Sequence, residues 1–353
     1  NKDKVDEDLR SVYYNAIYLP SIDVFSALGI ALVIWYGGGK FVQDQIQLGV
    51  LVAFLQYLQK FFEPIRDLAE KFNIIQTAIA SAERTFELLD TPEDIVDSHS
   101  SQPMKKVRGE IEFRNVWFSY KKDEEVLKDI SFSLLEGESL AVVGATGAGK
   151  SSLINALCRF YEISRGNILL DGVPTNQINK HDLRRQISLV QQDVFIFSGS
   201  ILDNIRLGNP HLKEDKAISI AKSVNLHRFV DCLPDKYEQN VREKGSLLSL
   251  GQKQLLSFAR ALAVDPRILV LDEATSSIDT ETELQVQSGI KELIRGRTSI
   301  IIAHRLSTLK NVDKILVLKE GRMAEYGTQK ELLLKRGIYW KLYNLQAVND
   351  VKL

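Results

Sequence analysis

The pattern of apolar and polar positions changes along the chain, and its first part contains two long apolar stretches. Residues 17–36 are largely apolar, with Pro20 and Asp23 as interruptions, and residues 46–62 are apolar apart from three glutamines and Lys60. A helix needs about 20 predominantly apolar residues to cross a bilayer. The pattern therefore fits a pair of membrane-spanning helices, although either stretch taken alone fits a buried helix of a soluble domain equally well.

The residues that flank the two stretches predict their orientation. The connection 37–45 contains a single lysine, whereas both outer flanks are richer in basic residues: Lys2, Lys4 and Arg10 before the first stretch, Arg66 and Lys71 after the second. Basic residues collect on the cytoplasmic side of a membrane. The asymmetry predicts a hairpin with both outer ends in the cytoplasm, and Trp35 and Tyr36 fit an aromatic anchor at the interface.

A helical spacing of apolar residues continues from Ile65 to Leu89 and stops at the Asp-Thr-Pro of residues 90–92. The following stretch to about Arg108 is polar and is typical of a linker. We expect residues 1–90 to form part of a transmembrane domain, residues 91–109 to be a linker, and residues 110–353 to form a second domain.

The second domain begins with strand-like alternation over residues 110–135 and a hairpin with an Asp-Gly turn at 171–172. Residues 196–265 have a helical pattern, and short apolar strands then alternate with a helix at about 281–295. This order predicts an α/β domain. Residues 330–346 read as one amphipathic helix.

Composition narrows the classes of function. The formal net charge is -1, which gives no reason to expect nucleic acid as a partner. The two cysteines, Cys158 and Cys232, cannot form a disulfide framework, and the five histidines have no metal-ligand spacing. The first residue is Asn and no signal peptide precedes the apolar stretches, so we expect the sequence to be a piece of a longer chain.

The stretch ESLAVVGATGAGKSS, residues 138–152, carries the strongest chemical signal. A short apolar strand is followed by a glycine-rich loop and a helical pattern, an arrangement whose backbone N–H groups surround a phosphate. Lys150 is placed to bind the β and γ phosphates, and the Ser151 hydroxyl suits Mg²⁺. The alternative is a glycine turn followed by a surface lysine.

Polar residues also follow two later apolar strands. Asp272 and Glu273 end RILVLDE, and His304 ends TSIIIAH. Ligands bind at the carboxyl ends of parallel strands, so these residues should emerge beside the phosphate loop. Asp272 would hold Mg²⁺ through water, Glu273 would orient or deprotonate an attacking water, and His304 would contact the γ-phosphate or that water. The alternatives are two surface acids and a core histidine.

Four further sequence features occur at characteristic places before and after the phosphate loop. They are Tyr120 before the loop, Gln192 in LVQQD, LSLGQ at residues 248–252, and SSID at residues 276–279. Together with the phosphate loop, Asp272, Glu273 and His304, they resemble the nucleotide-binding domain of ATP-binding cassette (ABC) transporters over about residues 110–345.

That resemblance implies a fold and a set of roles. The fold is an α/β P-loop NTPase of ABC type, with a mixed sheet core, an antiparallel β subdomain and a helical subdomain, preceded by two long transmembrane α-helices. Tyr120 would stack on adenine, and Gln192 would join Ser151 and Asp272 around Mg²⁺. The phosphates would be held by Gly144, Ala145, Thr146, Gly147, Ala148, Gly149, Lys150, Ser151 and Ser152. The residues expected to face a partner's nucleotide are Ser249, Gly251, Gln252 and Asp279.

The resemblance extends to residues 1–90, which look like the last two of six membrane helices in an exporter-type half-transporter. It implies a multi-pass protein of the plasma (inner) membrane, with the lipid bilayer around its helices and the nucleotide-binding domain in the cytoplasm. It also implies a second half-transporter as partner.

Two departures from the family pattern stand out. Leu250 occupies the place of the first of two glycines in the signature, and NVREKG at residues 240–245 replaces a glycine–glutamate–arginine–glycine run. The altered signature leaves both a homodimer and a heterodimer with one weaker site open.

The expected function is ATP hydrolysis coupled to export of a substrate whose identity the sequence does not give. The alternatives are a soluble ABC-type ATPase acting on nucleic acid or the ribosome, and a nucleotide-gated regulatory module with little turnover.

Overall fold

The computed structural model describes residues 2–93, 95, 97, 104, 107–121, 124–272, 280–303 and 312–350. The chain forms two compact units, Asn1–Glu93 and Asp94–Leu353, which we call the N-terminal and C-terminal units. The boundary between them falls inside the segment 91–109.

The N-terminal unit is a pair of long helices, α1 (Lys2–Val42) and α2 (Leu48–Asp90), which pack against each other. Glycine allows close approach, because a Cβ on Gly37 would lie 2.6 Å from a Leu51 methyl group. Among the described residues, one helical segment, Ala16–Val42, is long and apolar enough to cross a membrane. Residues 48–62 of α2, which contain most of the second apolar stretch, are not long and apolar enough by the same measure.

A six-stranded mixed sheet forms the centre of the C-terminal unit, in the order β10-β9-β3-β8-β7-β6. Five strands pair in parallel and β10 is antiparallel to β9. The strands are β3 (Ser139–Val143), β6 (Ile187–Val190), β7 (Ile268–Asp272), β8 (Thr298–Ile302), β9 (Lys314–Lys319) and β10 (Arg322–Gly327). Both faces of the sheet are covered, which explains the nearly continuous apolar runs of its central strands.

A four-stranded antiparallel sheet lies beside it, in the order β2-β1-β4-β5. Its strands are β1 (Ile111–Ser119), β2 (Glu125–Leu134), β4 (Arg165–Leu170) and β5 (Val173–Pro174). The turn between β4 and β5 contains Asp171 and Gly172, both with positive φ, as the Asp-Gly pair predicts.

Nine further helices belong to the described part of the C-terminal unit. They are α3 (Lys150–Leu157), α4 (Lys180–Gln186), α5 (Ile201–Arg206), α6 (Glu214–Ser223), α7 (His227–Val230), α8 (Leu250–Ala263), α9 (Thr280–Ile294), α10 (Gln329–Lys335) and α11 (Ile338–Asp350). Of these, α5, α6 and α9 pack against α8. With the mixed sheet and the antiparallel sheet, this helical group confirms the fold class predicted from the sequence.

The expectation of a single helix over residues 330–346 is wrong. Arg336 has a left-handed backbone (φ 51°) and ends α10. The backbone N–H groups of Ile338 and Tyr339 then donate to the carboxylate of Glu325 in β10, at 2.6 and 3.0 Å. Because the Glu325 carboxylate accepts hydrogen bonds from the first N–H groups of α11, it stabilises the start of a separate helix after Arg336.

Alternate residues of the central strands enter different hydrophobic cores. In β8, Ile300 and Ile302 belong to the core under the antiparallel sheet, whereas Ile301 belongs to the core under the helical group. The α3 helix packs into the first core through Leu153 and Leu157, and α8 packs into the second. These two helices therefore lie on opposite faces of the sheet.

Candidate functional site

The register of the central sheet brings the carboxyl ends of four parallel strands to one edge. Val142 of β3 pairs with Ile302 of β8, and Ile302 pairs with Asp272 of β7. In the same way Leu271 of β7 pairs with Val190 of β6. Since neighbouring strands are about 4.8 Å apart, Asp272 lies about 10 Å along this edge from the strand that enters the phosphate loop.

The loop between β3 and α3 requires glycine at two places. A Cβ on Gly144 would collide with the carbonyl oxygen of Leu318, and a Cβ on Gly149 would lie 2.7 Å from a Leu127 methyl group. Gly149 also has φ 100°, a conformation that favours glycine. The loop is thus pressed against β2 and against the end of β9, which leaves no space for side chains on that side.

Lys150 begins α3 and folds back over the loop. Its Nζ donates to the carbonyl oxygens of Gly144 at 2.8 Å and Ala145 at 3.1 Å. Burial lowers the pKa of Lys150, and the nearby negative charge of Asp272 partly opposes that effect. The ammonium group of Lys150 therefore lies over the backbone carbonyl groups of the loop.

The other loop residues differ in exposure. Ala148 and Ser152 are buried, whereas Ala145, Thr146, Gly147 and Ser151 are exposed. Exposure leaves the Ser151 hydroxyl free to reach a ligand at the positive end of α3.

Tyr120 is fastened to α3 by its hydroxyl group. The hydroxyl donates to Ser152 Oγ at 3.1 Å and accepts from Asn155 Nδ2 at 2.8 Å. Its ring meets Phe118 and Tyr161 edge-on, with centroids 4.8 and 4.9 Å away. Sequence reasoning missed Asn155 and Tyr161, although the spacing of Ser152 and Asn155 places both on one face of a helix.

The signature residues form the start of α8. Ser249 is the N-cap, and its Oγ accepts from the Gln252 backbone N–H at 3.3 Å while Gln252 Oε1 accepts from the Ser249 N–H at 2.9 Å. Gly251 is buried, and Leu250 is 42% exposed at the first helical position. The departure at Leu250 therefore places an apolar side chain on the outside of the helix terminus.

The segment before the signature has an unusual backbone. Arg242 has φ 59° and ψ -174°, and Lys244 has φ 53° and ψ 22°. Non-glycine residues rarely adopt the first conformation. This is the segment in which NVREKG departs from the glycine-containing family pattern.

Several predicted site residues lie outside the described residues: Glu273, the segment 276–279 with Asp279, and His304. Glu273 directly follows Asp272, the last residue of β7, and His304 follows two residues after the end of β8. Gln192 is exposed two residues beyond the end of β6. All three strands end at the edge described above.

The described residues include possible ligands for Mg²⁺. Among them, no three His, Cys, Asp or Glu side chains are grouped as a metal site. Magnesium, however, is usually held by one or two carboxylates together with substrate phosphates, and it prefers oxygen ligands. The Ser151 hydroxyl, the Gln192 amide and the Asp272 carboxylate supply such oxygens, so the residues present fit a nucleotide-bound Mg²⁺.

Comparisons with known proteins agree with the geometry. The family model described as ABC transporter matches residues 127–276. An uncharacterized ABC transporter ATP-binding protein, YknV of Bacillus subtilis, is 42% identical over 98% of this chain and 57% of its own length. A fatty acid ABC transporter ATP-binding/permease protein of Mycobacterium bovis is 40% identical over 97% of this chain and 54% of its own length.

A solved structure is also similar. It is a bacterial Atm1-family ABC exporter with ATP bound, 33% identical, with a TM-score of 0.71 over 98% of this chain and 59% of that one. The chain thus spans somewhat more than half the length of the relatives it matches. The motifs, the sheet edge and these similarities together show that the chain belongs to the ABC transporter family.

Proposed function

We propose that this chain is the C-terminal part of a half-transporter that hydrolyses ATP and uses the energy to export a substrate across a membrane. The observation that supports this most strongly is the edge of the central sheet. There the strand that enters the phosphate loop ends two strands away from Asp272, and the strands that lead to Gln192, Glu273 and His304 end at the same edge.

In this proposal the loop holds the triphosphate. The loop N–H groups and Lys150 bind the phosphates, and Lys150 exchanges its two carbonyl partners for phosphate oxygens. Tyr120 stacks on adenine, held in place by its hydrogen bonds to α3. Ser151, Gln192 and Asp272 hold Mg²⁺, which neutralises charge on the β and γ phosphates.

Glu273 and His304 supply the remaining chemistry. Glu273 accepts a proton from the attacking water as general base, and His304 steadies the γ-phosphate and the water. The proposal assigns these roles because both residues follow strands that end at the site.

A complete site needs a second chain. The α3 helix, which begins at the phosphate loop, and α8 lie on opposite faces of the sheet, which favours a dimer in which Ser249, Gly251, Gln252 and Asp279 of one chain face the nucleotide of the other. Such a dimer is either a homodimer that tolerates Leu250 or a heterodimer in which one of the two sites is weaker. The helices of the N-terminal unit belong to a multi-pass domain in the plasma (inner) membrane, with the C-terminal unit in the cytoplasm.

The test is the Glu273→Gln variant of the full-length protein in lipid discs. It should bind ATP as the wild type does and lose nearly all phosphate release, because the amide cannot accept the proton. Glu136→Gln, in the exposed turn between β2 and β3, is the matched control and should keep wild-type turnover. Wild-type turnover in Glu273→Gln would contradict the catalytic assignment.

A further inference from the structure

Ile95 and Asp97, near the beginning of the C-terminal unit, are hydrogen-bonded to residues at the start of α4. Asp97 Oδ1 accepts from the backbone N–H of Lys180 at 2.9 Å, and Oδ2 accepts from Asn179 Nδ2 at 3.0 Å. Lys180 Nζ in turn donates to the carbonyl oxygen of Ile95 at 3.2 Å. Both the backbone and a side chain of this short segment are therefore held at the start of α4.

A buried arginine joins the same contact. Arg159 Nη1 lies 3.4 Å from Asp97 Oδ1 and donates to the carbonyl oxygen of Ile178 at 3.1 Å, and its Nε donates to Glu162 at 2.7 Å. The Arg159 side chain is only 5% exposed. A guanidinium group this deeply buried is costly unless opposite charges pair with it, so Asp97 and Glu162 both stabilise it.

Arg159 also marks the end of the phosphate-loop helix. Arg159 follows Cys158, the C-cap of α3. Arg184 Nη2 donates to the carbonyl oxygen of Arg159 at 2.7 Å. The other end of α3 carries Lys150 and Ser151. An eight-residue helix is about 12 Å long, so the nucleotide-binding end and the Asp97 contact are separated by one short, rigid element.

The covalent connection from this contact to α2 is short. The α2 helix ends at Asp90, and seven residues span at most about 25 Å when fully extended. Seven residues of chain therefore connect the Asp97 contact to the end of α2.

We propose that Asp97 is a positioning residue that couples the phosphate-loop helix to α2. When nucleotide binding shifts α3, Arg159 and α4 carry Asp97 with them, and the segment 91–96 transmits the shift to the end of α2. This inference rests on the proposed function, since it assumes that nucleotide binding at Lys150 and Ser151 moves α3.

The test measures the distance between the two units in the full-length protein. Donor and acceptor dyes are attached at Glu87→Cys in α2 and Glu136→Cys in the C-terminal unit, both exposed positions, and labelled subunits are diluted with unlabelled ones in lipid discs. Cys232 is replaced by serine. Cys158 can stay, because burial raises the pKa of its thiol to about 12 and keeps it unreactive at neutral pH.

Two substitutions break the contact to different degrees. Asp97→Ala removes all acceptors. Asp97→Asn keeps the shape but removes the charge and presents an amide N–H₂ group to donors. Glu162→Gln is the matched control. It also removes a negative charge that pairs with Arg159, but it leaves the hydrogen bonds of Ile95 and Asp97 intact.

We expect a non-hydrolysable ATP analogue with Mg²⁺ to change energy transfer in the wild type and in Glu162→Gln. The change should be lost in Asp97→Ala and reduced in Asp97→Asn, while affinity for the analogue stays at the wild-type value. A full change in both Asp97 variants, no change in the wild type, or equal loss in Glu162→Gln would overturn the inference. A wild type that changes energy transfer but releases no phosphate from ATP would instead overturn the proposed function.

Discussion

Replacing Arg242 with glycine should stabilise the C-terminal unit. Arg242 has φ 59° and ψ -174°, at the edge of a region that is populated almost only by glycine. Its backbone N–H donates to Asn240 Oδ1 at 2.8 Å, and glycine keeps that hydrogen bond. The Arg242 side chain is exposed, so its removal leaves no cavity.

The size of the effect follows from two opposing contributions. A non-glycine residue in such a conformation costs about 1–3 kcal/mol. Glycine has more freedom in the unfolded chain, which offsets about 0.5–1 kcal/mol of the gain. A net gain of about 1 kcal/mol should raise the Tm of a unit of this size by about 2–4 °C.

The assay is thermal unfolding of the full-length protein, followed by fluorescence without nucleotide. Arg242→Ala is the control, because it removes the side chain and the charge but keeps a Cβ in the same backbone conformation. We expect Arg242→Gly to raise the Tm and Arg242→Ala to leave it near the wild-type value. An unchanged Tm in Arg242→Gly, or an equal rise in Arg242→Ala, would show that the backbone conformation of Arg242 does not destabilise the fold.

Substitutions at three other positions test the site. Gly149→Ala should abolish ATP binding, because its Cβ would lie 2.7 Å from a Leu127 methyl group at φ 100°; a wild-type thermal shift with ATP would contradict this. Ser249→Ala should lower the free energy of unfolding by about 1 kcal/mol through loss of the N-cap, whereas Ser249→Thr should lower it much less; equal unfolding curves for both would show that the cap is unimportant. Asn155→Ala should raise the KM for ATP and leave kcat unchanged, because it removes a hydrogen bond that holds Tyr120; steady-state kinetics with an unchanged KM would refute that role.

Much of the central sheet can be predicted from local sequence. The run of residues 298–302 is fully buried in β8, and an apolar run bounded by polar residues already indicates such a strand. Glycine spacing and the following lysine identify the phosphate loop for a similar reason. At Gly144 and Gly149 the close packing of the loop excludes a side chain, and Gly149 also has a positive φ. The need for glycine is therefore visible in the sequence at these single positions.

Contacts between distant residues explain what the sequence could not predict. The break between α10 and α11 depends on Glu325 in a neighbouring strand, while the local pattern alone favours one helix. Arg242 has backbone angles that are ordinarily found at glycine, so an arginine in the sequence gives no sign of them. Asp97 lies in a polar segment that predicts only a linker, and its partners Asn179 and Lys180 are more than 80 residues away in sequence.

The proposed ATP hydrolysis is tested most directly by phosphate release from ATP by the full-length protein, expressed alone, purified and placed in lipid discs, with its oligomeric mass measured in parallel. We expect Mg²⁺-dependent turnover that is lost in Lys150→Ala, because the phosphates lose their main positive partner. Turnover by a homodimer would show that Leu250 is tolerated, and turnover only after co-expression with a second half-transporter would show an asymmetric pair. No turnover in either case, or full turnover in Lys150→Ala, would contradict ATP hydrolysis at this phosphate loop.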